Sequence, residues 1–303
     1  MSYRLDPAKP FAEEVRKLGN ALLADAIAIL SDTTGDRHEA IHEARKKFKR
    51  LRGLYRLIRP LAPGFFKTEN ARLRDVARSL SGARDAAALV ENINYLHQHA
   101  RSAAEAEALD MARAALTQRR DRIYSEEGDL SGVINAAIAE CEKALIAVQG
   151  LSLPDSRRSI AKGIAKALLT NGKKAALAQQ ECRKGEKAEA FHDLRKCCQI
   201  YRMYLTLLRK IWPSAMLAKE KNATALAELL GHQNDLSVLA ACADREPDIF
   251  GNGDTLARLL DAIINQQQKL EQTSLELSEL VFRDRPDAES KTIKSLWKRA
   301  CAA

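Results

Sequence analysis

The sequence is poor in the residues that build and connect β-sheets. Aromatic residues make up 5% of its 303 residues, and it contains only 14 glycines and 8 prolines. An aromatic content this low is unusual for a β-sandwich or barrel. Alanine, leucine, lysine, arginine, glutamate and glutamine dominate instead, and these residues favour helix. We therefore predict an all-α protein.

Long apolar runs are also missing. The longest apolar stretch near the N-terminus, from Ala21 to Leu30, contains Asp25 and falls well short of the roughly 20 residues that a spanning helix needs. No apolar run follows the first charges of the chain, as it would in a secretory signal. We therefore expect a cytoplasmic protein without a membrane span.

The six cysteines form no recognisable motif. None belongs to a C-x-x-C pair, and no histidine stands near them at the spacing of zinc ligands. We expect them to be small buried side chains in a reducing compartment, and we expect neither a metal nor a cofactor. The six residues are Cys141, Cys182, Cys197, Cys198, Cys242 and Cys301.

Acidic residues are fewer than basic ones. The net charge is +9 and the isoelectric point is near 9.3. Such a balance suggests an acidic partner, which would be a nucleic acid, an anionic membrane surface or a phosphate polymer. The alternative is a soluble protein that is basic without a binding role, so the distribution of the charge decides between the two.

The two halves of the sequence repeat each other at one offset. AIHEARKKFKRLRGLYRLIRPLAP begins at Ala40 and AFHDLRKCCQIYRMYLTLLRKIWP begins at Ala190, and the two segments align without a gap. The same offset aligns LSGARD at 80–85 with LGHQND at 230–235. We interpret the chain as two homologous helical bundles, 1–150 and 151–303, related by pseudo-two-fold symmetry.

Apolar residues recur with helical periodicity in both halves. Pro60 and Pro63 should end the first basic helix, and Pro213 should end its copy. The predicted helices lie near 10–31, 38–59, 66–81, 84–99, 102–123 and 130–148, and near 157–182, 188–210, 214–230, 235–245, 254–281 and 287–300.

Cationic side chains cover one face of the helix that begins near residue 42. At about 100° per residue they fall within an arc of about 140°, opposite the apolar side chains. No Asp or Glu occurs from Ala44 to Thr68, or from Leu194 to Lys219 in the copy. Like charges repel at i,i+4, so an external anion should neutralise the stripe. The stripe consists of His42, Arg45, Lys46, Lys49, Arg52, Arg56 and Arg59.

The copy carries fewer charges, because Gln199 and Thr206 stand in place of Lys49 and Arg56. Its stripe consists of His192, Arg195, Lys196, Arg202 and Arg209. Cations on neighbouring predicted helices are further candidates for an anion-binding site, namely Arg74, Arg78, Lys166, Lys173, Lys219 and Lys221. For any single cation, the alternative interpretation is an ordinary solvated side chain.

His42 and His192 begin the two stripes at equivalent positions. Each is a candidate donor to a phosphate oxygen that binds more strongly as the pH falls, and the alternative is a core or capping histidine. Ser81-Gly82 and Gly231 look like helix C-caps. Asp85 and Asp235, just after these turns, would then be helix caps or carboxylates that orient a nearby arginine.

These segments resemble the CHAD family, the conserved-histidine α-helical domain. The resemblance rests on H-x-x-R-K-x-x-K-R-x-R from His42 to Arg52, on HDLRK from His192, and on LSGARDAAALVE and LGHQNDLSVLAA. It implies two similar helical bundles with a basic groove or pore at their interface, and it implies binding of inorganic polyphosphate, including at polyphosphate granules. The second copy departs from the basic pattern at residues 197–200, so the halves need not contribute equally.

Four functions compete. Rows of Arg and Lys without stacking aromatics favour inorganic polyphosphate as the partner. A nucleic-acid-binding protein could use the same helices, but no helix-turn-helix spacing, zinc finger or RNA-binding aromatic motif is present. An enzyme such as a polyphosphatase needs carboxylates to hold Mg²⁺, and the stripes contain none. We therefore predict a polyphosphate-binding protein without enzymatic activity. Membrane-surface binding is disfavoured, since no basic amphipathic tail stands out.

Overall fold

The computed structural model describes residues 3–80, 82–126, 130–185, 187–251 and 253–301, and for 82–85, 187 and 188 it describes the backbone alone. These residues form eleven α-helices and two 3₁₀ turns, and none of them forms a strand. The prediction of an all-α fold is confirmed. The helices are α1 (Phe11–Ser31), α2 (Arg37–Ile58), α3 (Pro63–Ser79), α4 (Gly82–His97), α5 (Ala103–Glu126), α6 (Ser131–Gln149), α7 (Arg157–Lys184), α8 (Lys187–Leu207), α9 (Pro213–Arg245), α10 (Gly253–Val281) and α11 (Pro286–Ala300).

Two hydrophobic cores hold the helices together, and each contains residues from both halves of the sequence. The larger core joins α1, α2, α3 and α6 to α7, α8, α11 and the first part of α9. The smaller core joins α4 and α5 to the second part of α9 and most of α10. We call these units the body and the lobe. Because both cores draw on both halves, the division at residue 150 stays a prediction about the sequence.

Corresponding helices of the two halves pack in the same way. α1 packs on α2 and α6, as α7 packs on α8 and α11. α2 also packs on α7 and α8, which places it at the junction of the halves. There Gly53 meets Met203, its equivalent at the predicted offset, so closely that a Cβ on Gly53 would overlap Met203 Sδ. Contact between equivalent residues is expected beside a two-fold axis, and the duplication itself stays a prediction.

The second half has one helix where the sequence predicts two. A C-cap at Gly231 is wrong, because α9 runs without a break from Pro213 to Arg245. Gly231 does not adopt a positive φ, and buried Leu230 and Leu236 lie on either side of it. Since the buried face continues through this point, the tertiary packing outweighs the low helix propensity of one glycine.

The first half does contain a break at the matching place, although not as predicted. α3 ends at Ser79 with Leu80 as its C-cap, and Gly82 is already the first residue of α4. Ser81 lies outside the described residues. The proline predictions also need adjustment, since Pro63 and Pro213 begin α3 and α9. α2 has already ended at Ile58, and α8 has already ended at Leu207.

Two further expectations concern the cysteines and the absence of a membrane span. Of the cysteines, five are buried and Cys301 is half-buried, which confirms that they are mainly core residues. Within the described ranges, none of the helices combines the length and the apolar character that a membrane-spanning helix requires.

Alanine substitutions at two helical glycines should have opposite effects on stability. Nothing lies within 4 Å of a Cβ at Gly231, so Gly231→Ala should raise the free energy of unfolding by about 0.5–1 kcal/mol. Gly53→Ala should lower it by about 1–3 kcal/mol, because the new methyl group overlaps Met203. Urea unfolding measures both. A loss of stability in Gly231→Ala would contradict an unbroken α9.

Candidate anion-binding cleft

A cleft of about 350 Å³ opens at the junction of the two halves. The end of α2 and the start of α3 form one wall, α7 forms the other, and Ile200 and Tyr204 of α8 complete it. Arg56, Arg59, Lys166 and Lys174 line the cleft, and none of its described lining residues is a carboxylate. The cleft is therefore strongly positive.

Arg52 and Arg56 are partly withdrawn from water. Arg56 lies near Tyr204 of α8, whereas Arg52 faces α3, where its Nε donates to Asn70 Oδ1 at 3.1 Å. Burial lowers the pKa of Arg56. Burial also lowers the pKa of Arg52 to about 10, and the charges of Arg56 and Arg74 lower it further, while Asp75 acts in the opposite direction. Among the described residues, no carboxylate forms an ion pair with Arg52 or Arg56. A desolvated cation without a counter-charge is unfavourable, so an external anion here would stabilise the protein.

Packing contacts position Arg59 and bring the two walls of the cleft together. The Arg59 guanidinium lies over the ring of Phe66, with 5.1 Å between Cζ and the ring centroid, an arrangement that favours the cation. On α7, Lys166 and Lys174 are about two turns apart and therefore lie along one side of the helix. α7 approaches closely at Gly163, where a Cβ would overlap the Leu61 side chain. This approach brings the cations of the two walls together.

The cleft unites only three of the predicted site residues, Arg56, Arg59 and Lys166. Lys174 is a fourth lining cation that the sequence reasoning missed. The spacing of Lys166, Thr170 and Lys174 could have indicated it, because positions i, i+4 and i+8 lie along one side of a helix. Lys173, the neighbour predicted in its place, lies 3.9 Å from Asp287 of α11.

The beginning of the α2 stripe is engaged within the protein. Arg45 Nη1 donates to two main-chain carbonyls at the end of α3, at 2.9 and 3.2 Å, and so satisfies carbonyls that a helix terminus leaves open. Lys46 Nζ pairs with Glu43 at 2.5 Å. His42 is half-buried and Lys49 is exposed, and neither of them lines the cleft.

Much of the second stripe, which runs along α8 and into the 3₁₀ turn after it, is paired with carboxylates. Arg209 forms an ion pair with Glu220, and the two side chains are only 14% and 19% exposed. Lys196 Nζ lies 2.8 Å from Asp193. Arg202 is half-buried and lies outside the cleft. The second stripe therefore presents less unpaired positive charge than its sequence suggests.

The first turns of α8 face the middle of α9. Arg195 Nη2 lies 4.0 Å from Asp235 Oδ1, and His192 Nδ1 lies 3.1 Å from Asn234 Oδ1. Asp235 is inside α9, so it is not an N-cap, and its position fits the alternative of a carboxylate that orients an arginine. The corresponding side chain, Asp85, lies outside the described residues.

The remaining candidates lie apart from the cleft. Lys219 Nζ binds two carboxylates, Asp284 at 2.5 Å and Glu289 at 2.7 Å, which leaves it little capacity for an external anion. Arg74 Nε lies 2.9 Å from Asp75 Oδ1. Arg74, Arg78 and Lys221 are exposed. Within the described ranges, no three His, Cys, Asp or Glu side chains are grouped so that they could hold a metal ion.

The N-terminal segment contacts the counterparts of two cleft residues. At the predicted offset, Ile200 and Pro60 of the cleft correspond to Arg50 and Lys210. Asp6 Oδ2 accepts a hydrogen bond from Lys210 Nζ at 2.6 Å, which lowers the pKa of Asp6. The ring of Tyr3 lies under the Arg50 guanidinium, and the Leu5 amide donates to a carbonyl of α8. The N-terminal segment thus supplies a carboxylate where the open cleft has none.

These features define a class of protein: an all-helical molecule with a cationic cleft between its two halves. The chain belongs to the CHAD family, since the family model for the CHAD domain matches residues 13–244. PptA from Streptomyces chartreusis has a similar fold, with a TM-score of 0.62 and 17% sequence identity over 91% of this chain and 100% of that one. At this identity the similarity concerns the fold alone. No curated protein matches the sequence.

Replacement of Arg56 by methionine should stabilise the ligand-free protein. The substitution keeps most of the buried side-chain length and removes a desolvated charge, so we expect a gain of roughly 0.5–2 kcal/mol. The matched substitution Arg209→Met should cost roughly 1–3 kcal/mol, because it leaves Glu220 without its partner. Thermal unfolding without ligand measures both. If Arg56→Met were less stable than wild type, the Arg56 charge would already be compensated within the protein.

Proposed function

We propose that the protein binds inorganic polyphosphate in the cleft between α2 and α7. One observation carries the proposal: four cations line the cleft, and none of the described lining residues is a carboxylate. Polyphosphate offers a row of anionic oxygens to such a surface, and hydrogen bonds between ionised groups are the stronger ones. Membership of the CHAD family, whose resemblance implied this polymer, supports the choice of ligand.

The surroundings of the cleft support a ligand longer than the cleft itself. Arg56 leads to Arg52, and Arg74 lies close enough to lower the Arg52 pKa. Arg56 and Arg52 extend the positive charge from the cleft along α2, up to Arg74 on α3, which is paired with Asp75. A chain that leaves the cleft on this side meets further guanidinium groups, so the affinity should rise with chain length until the row is covered.

Binding without cleavage is part of the proposal. Metal-assisted phosphoryl transfer uses carboxylates that hold Mg²⁺ beside the phosphates, and the described lining of the cleft offers cations, apolar side chains and three neutral polar residues, Thr170, Asn171 and Tyr204. Release of phosphate from polyphosphate in the presence of Mg²⁺ would contradict this part. We further propose that binding holds the protein at polyphosphate granules in the cytoplasm.

Charge reversal in the cleft should abolish binding, whereas the same reversal elsewhere should not. We expect the variant with Arg59, Lys166 and Lys174 replaced by Glu to bind polyphosphate about 100-fold or more weakly, because three charge-assisted contacts are lost. The matched control replaces the exposed residues Arg113, Arg258 and Lys269 of α5 and α10 by Glu. Its affinity should stay within a few-fold of wild type in a calorimetric titration.

An equal loss in both variants would show that the net charge, and not the cleft, attracts the polymer. Circular dichroism and thermal unfolding establish that each variant keeps its fold.

The affinity should also fall steeply and log-linearly with salt concentration, as it does when a polyanion releases counterions. The cleft variant should show a shallower slope than the control variant, since fewer phosphates are neutralised. A competition titration with RNA and DNA accompanies this measurement. Displacement of polyphosphate by either nucleic acid at equal phosphate concentration would favour a nucleic-acid-binding function instead.

A further inference from the structure

Part of the cleft lining is apolar and offers no favourable contact to a polyphosphate chain. Pro60, Pro63 and Phe66 form this apolar wall where α2 passes into α3, and Ala167 and Ile200 belong to it from α7 and α8. A uniformly charged polymer gains nothing from such a surface, because apolar contact replaces the hydration of its phosphates without a compensating hydrogen bond. A ligand that carries a flat ring beside its phosphates would use both the apolar and the cationic lining.

Phe66 is placed to contact such a ring. It is half-buried, one side of its ring lies against the Arg59 guanidinium, and it lines the cleft. An aromatic ring beside an arginine plane is a surface on which nucleobases stack. Phe65, the preceding residue, packs instead against Tyr55, with 5.0 Å between the ring centroids, and does not line the cleft.

The size of the cleft also favours a compact ligand. Its volume of about 350 Å³ falls in the range of roughly 300–1,000 Å³ that is typical of small-molecule sites. The cations stand on both walls, with Arg56 on α2 and Lys166 and Lys174 on α7, so a short row of phosphates between them would leave the apolar wall at Phe66 for the remainder of the ligand.

We propose that the cleft also binds a nucleoside triphosphate. The base lies against Phe66 and the two prolines, and the phosphates lie between Arg56, Lys166 and Lys174. This inference rests on the proposed function, since the same cations hold the phosphates of both ligands. The nucleotide and polyphosphate therefore exclude one another, and nucleotide concentration sets how much of the protein is available to the polymer.

Three probes separate the contribution of the base from that of the phosphates. ATP, inorganic tripolyphosphate and adenosine are titrated into the full-length protein by calorimetry at one salt concentration. Tripolyphosphate carries at least as much negative charge as ATP, so electrostatics alone predicts that it binds no more weakly. We expect ATP to bind roughly 5- to 150-fold more tightly than tripolyphosphate, the range for one base stacked on an aromatic side chain, and we expect no measurable binding of adenosine.

A matched pair of variants tests the role of Phe66. Phe66→Leu should abolish the preference for ATP and should leave the affinity for tripolyphosphate within a few-fold of wild type. Phe65→Leu makes the same change at the neighbouring ring, which faces Tyr55, and should keep the preference. The ratio of the two affinities is the readout, because a shift of Arg59 after the loss of Phe66 would weaken both ligands alike.

The outcomes distinguish this inference from the proposed function. If ATP and tripolyphosphate bind equally to the wild type, or if Phe66→Leu keeps the preference, the base does not use the apolar wall and the inference is overturned. If neither binds while long-chain polyphosphate does, the inference is overturned and the proposed function stands. If ATP, tripolyphosphate and long-chain polyphosphate all fail to bind, both this inference and the proposed function are overturned.

Discussion

The structure depends on the approach of α2 to α7 and α8, which removes water from arginines without supplying a carboxylate. Gly53 and Gly163 permit this approach, since a Cβ at either position would overlap a side chain of the neighbouring segment. Burial lowers the pKa of Arg56, which means that the protein holds this charge at a cost in stability. An anion that enters the cleft lowers that cost, and the gain appears as binding energy.

The two halves repeat their helix packing but differ in how their charges are satisfied. On the α8 side, Arg209 is paired with Glu220, and the N-terminal segment brings Asp6 to Lys210. On the α2 side, no described residue supplies a carboxylate to Arg56 or Arg59. The open cleft combines a wall from each half, so it depends on the association of the halves. The proposed binding site therefore lies where the two halves differ most in how their charges are paired.

The helices, the buried cysteines and the cationic face of α2 were predictable from the sequence, because they follow from local periodicity. The partners of the cations were not. Lys219 meets carboxylates 65 and 70 residues further along the chain, and no local pattern encodes such a contact. Lys174 rather than Lys173 faces the cleft because one residue turns a helix by about 100°, and the position of α11 decides which lysine is paired. The unbroken α9 escaped prediction because buried residues on both sides of Gly231 hold it in the helix.

The most direct test of the account is a crystal structure of the protein with a short polyphosphate. The account predicts phosphate groups between α2 and α7, with oxygens within hydrogen-bond distance of Arg56 and Lys166. Phosphates bound along the outer face of α8, with the cleft unoccupied and Arg56 still unpaired, would contradict it.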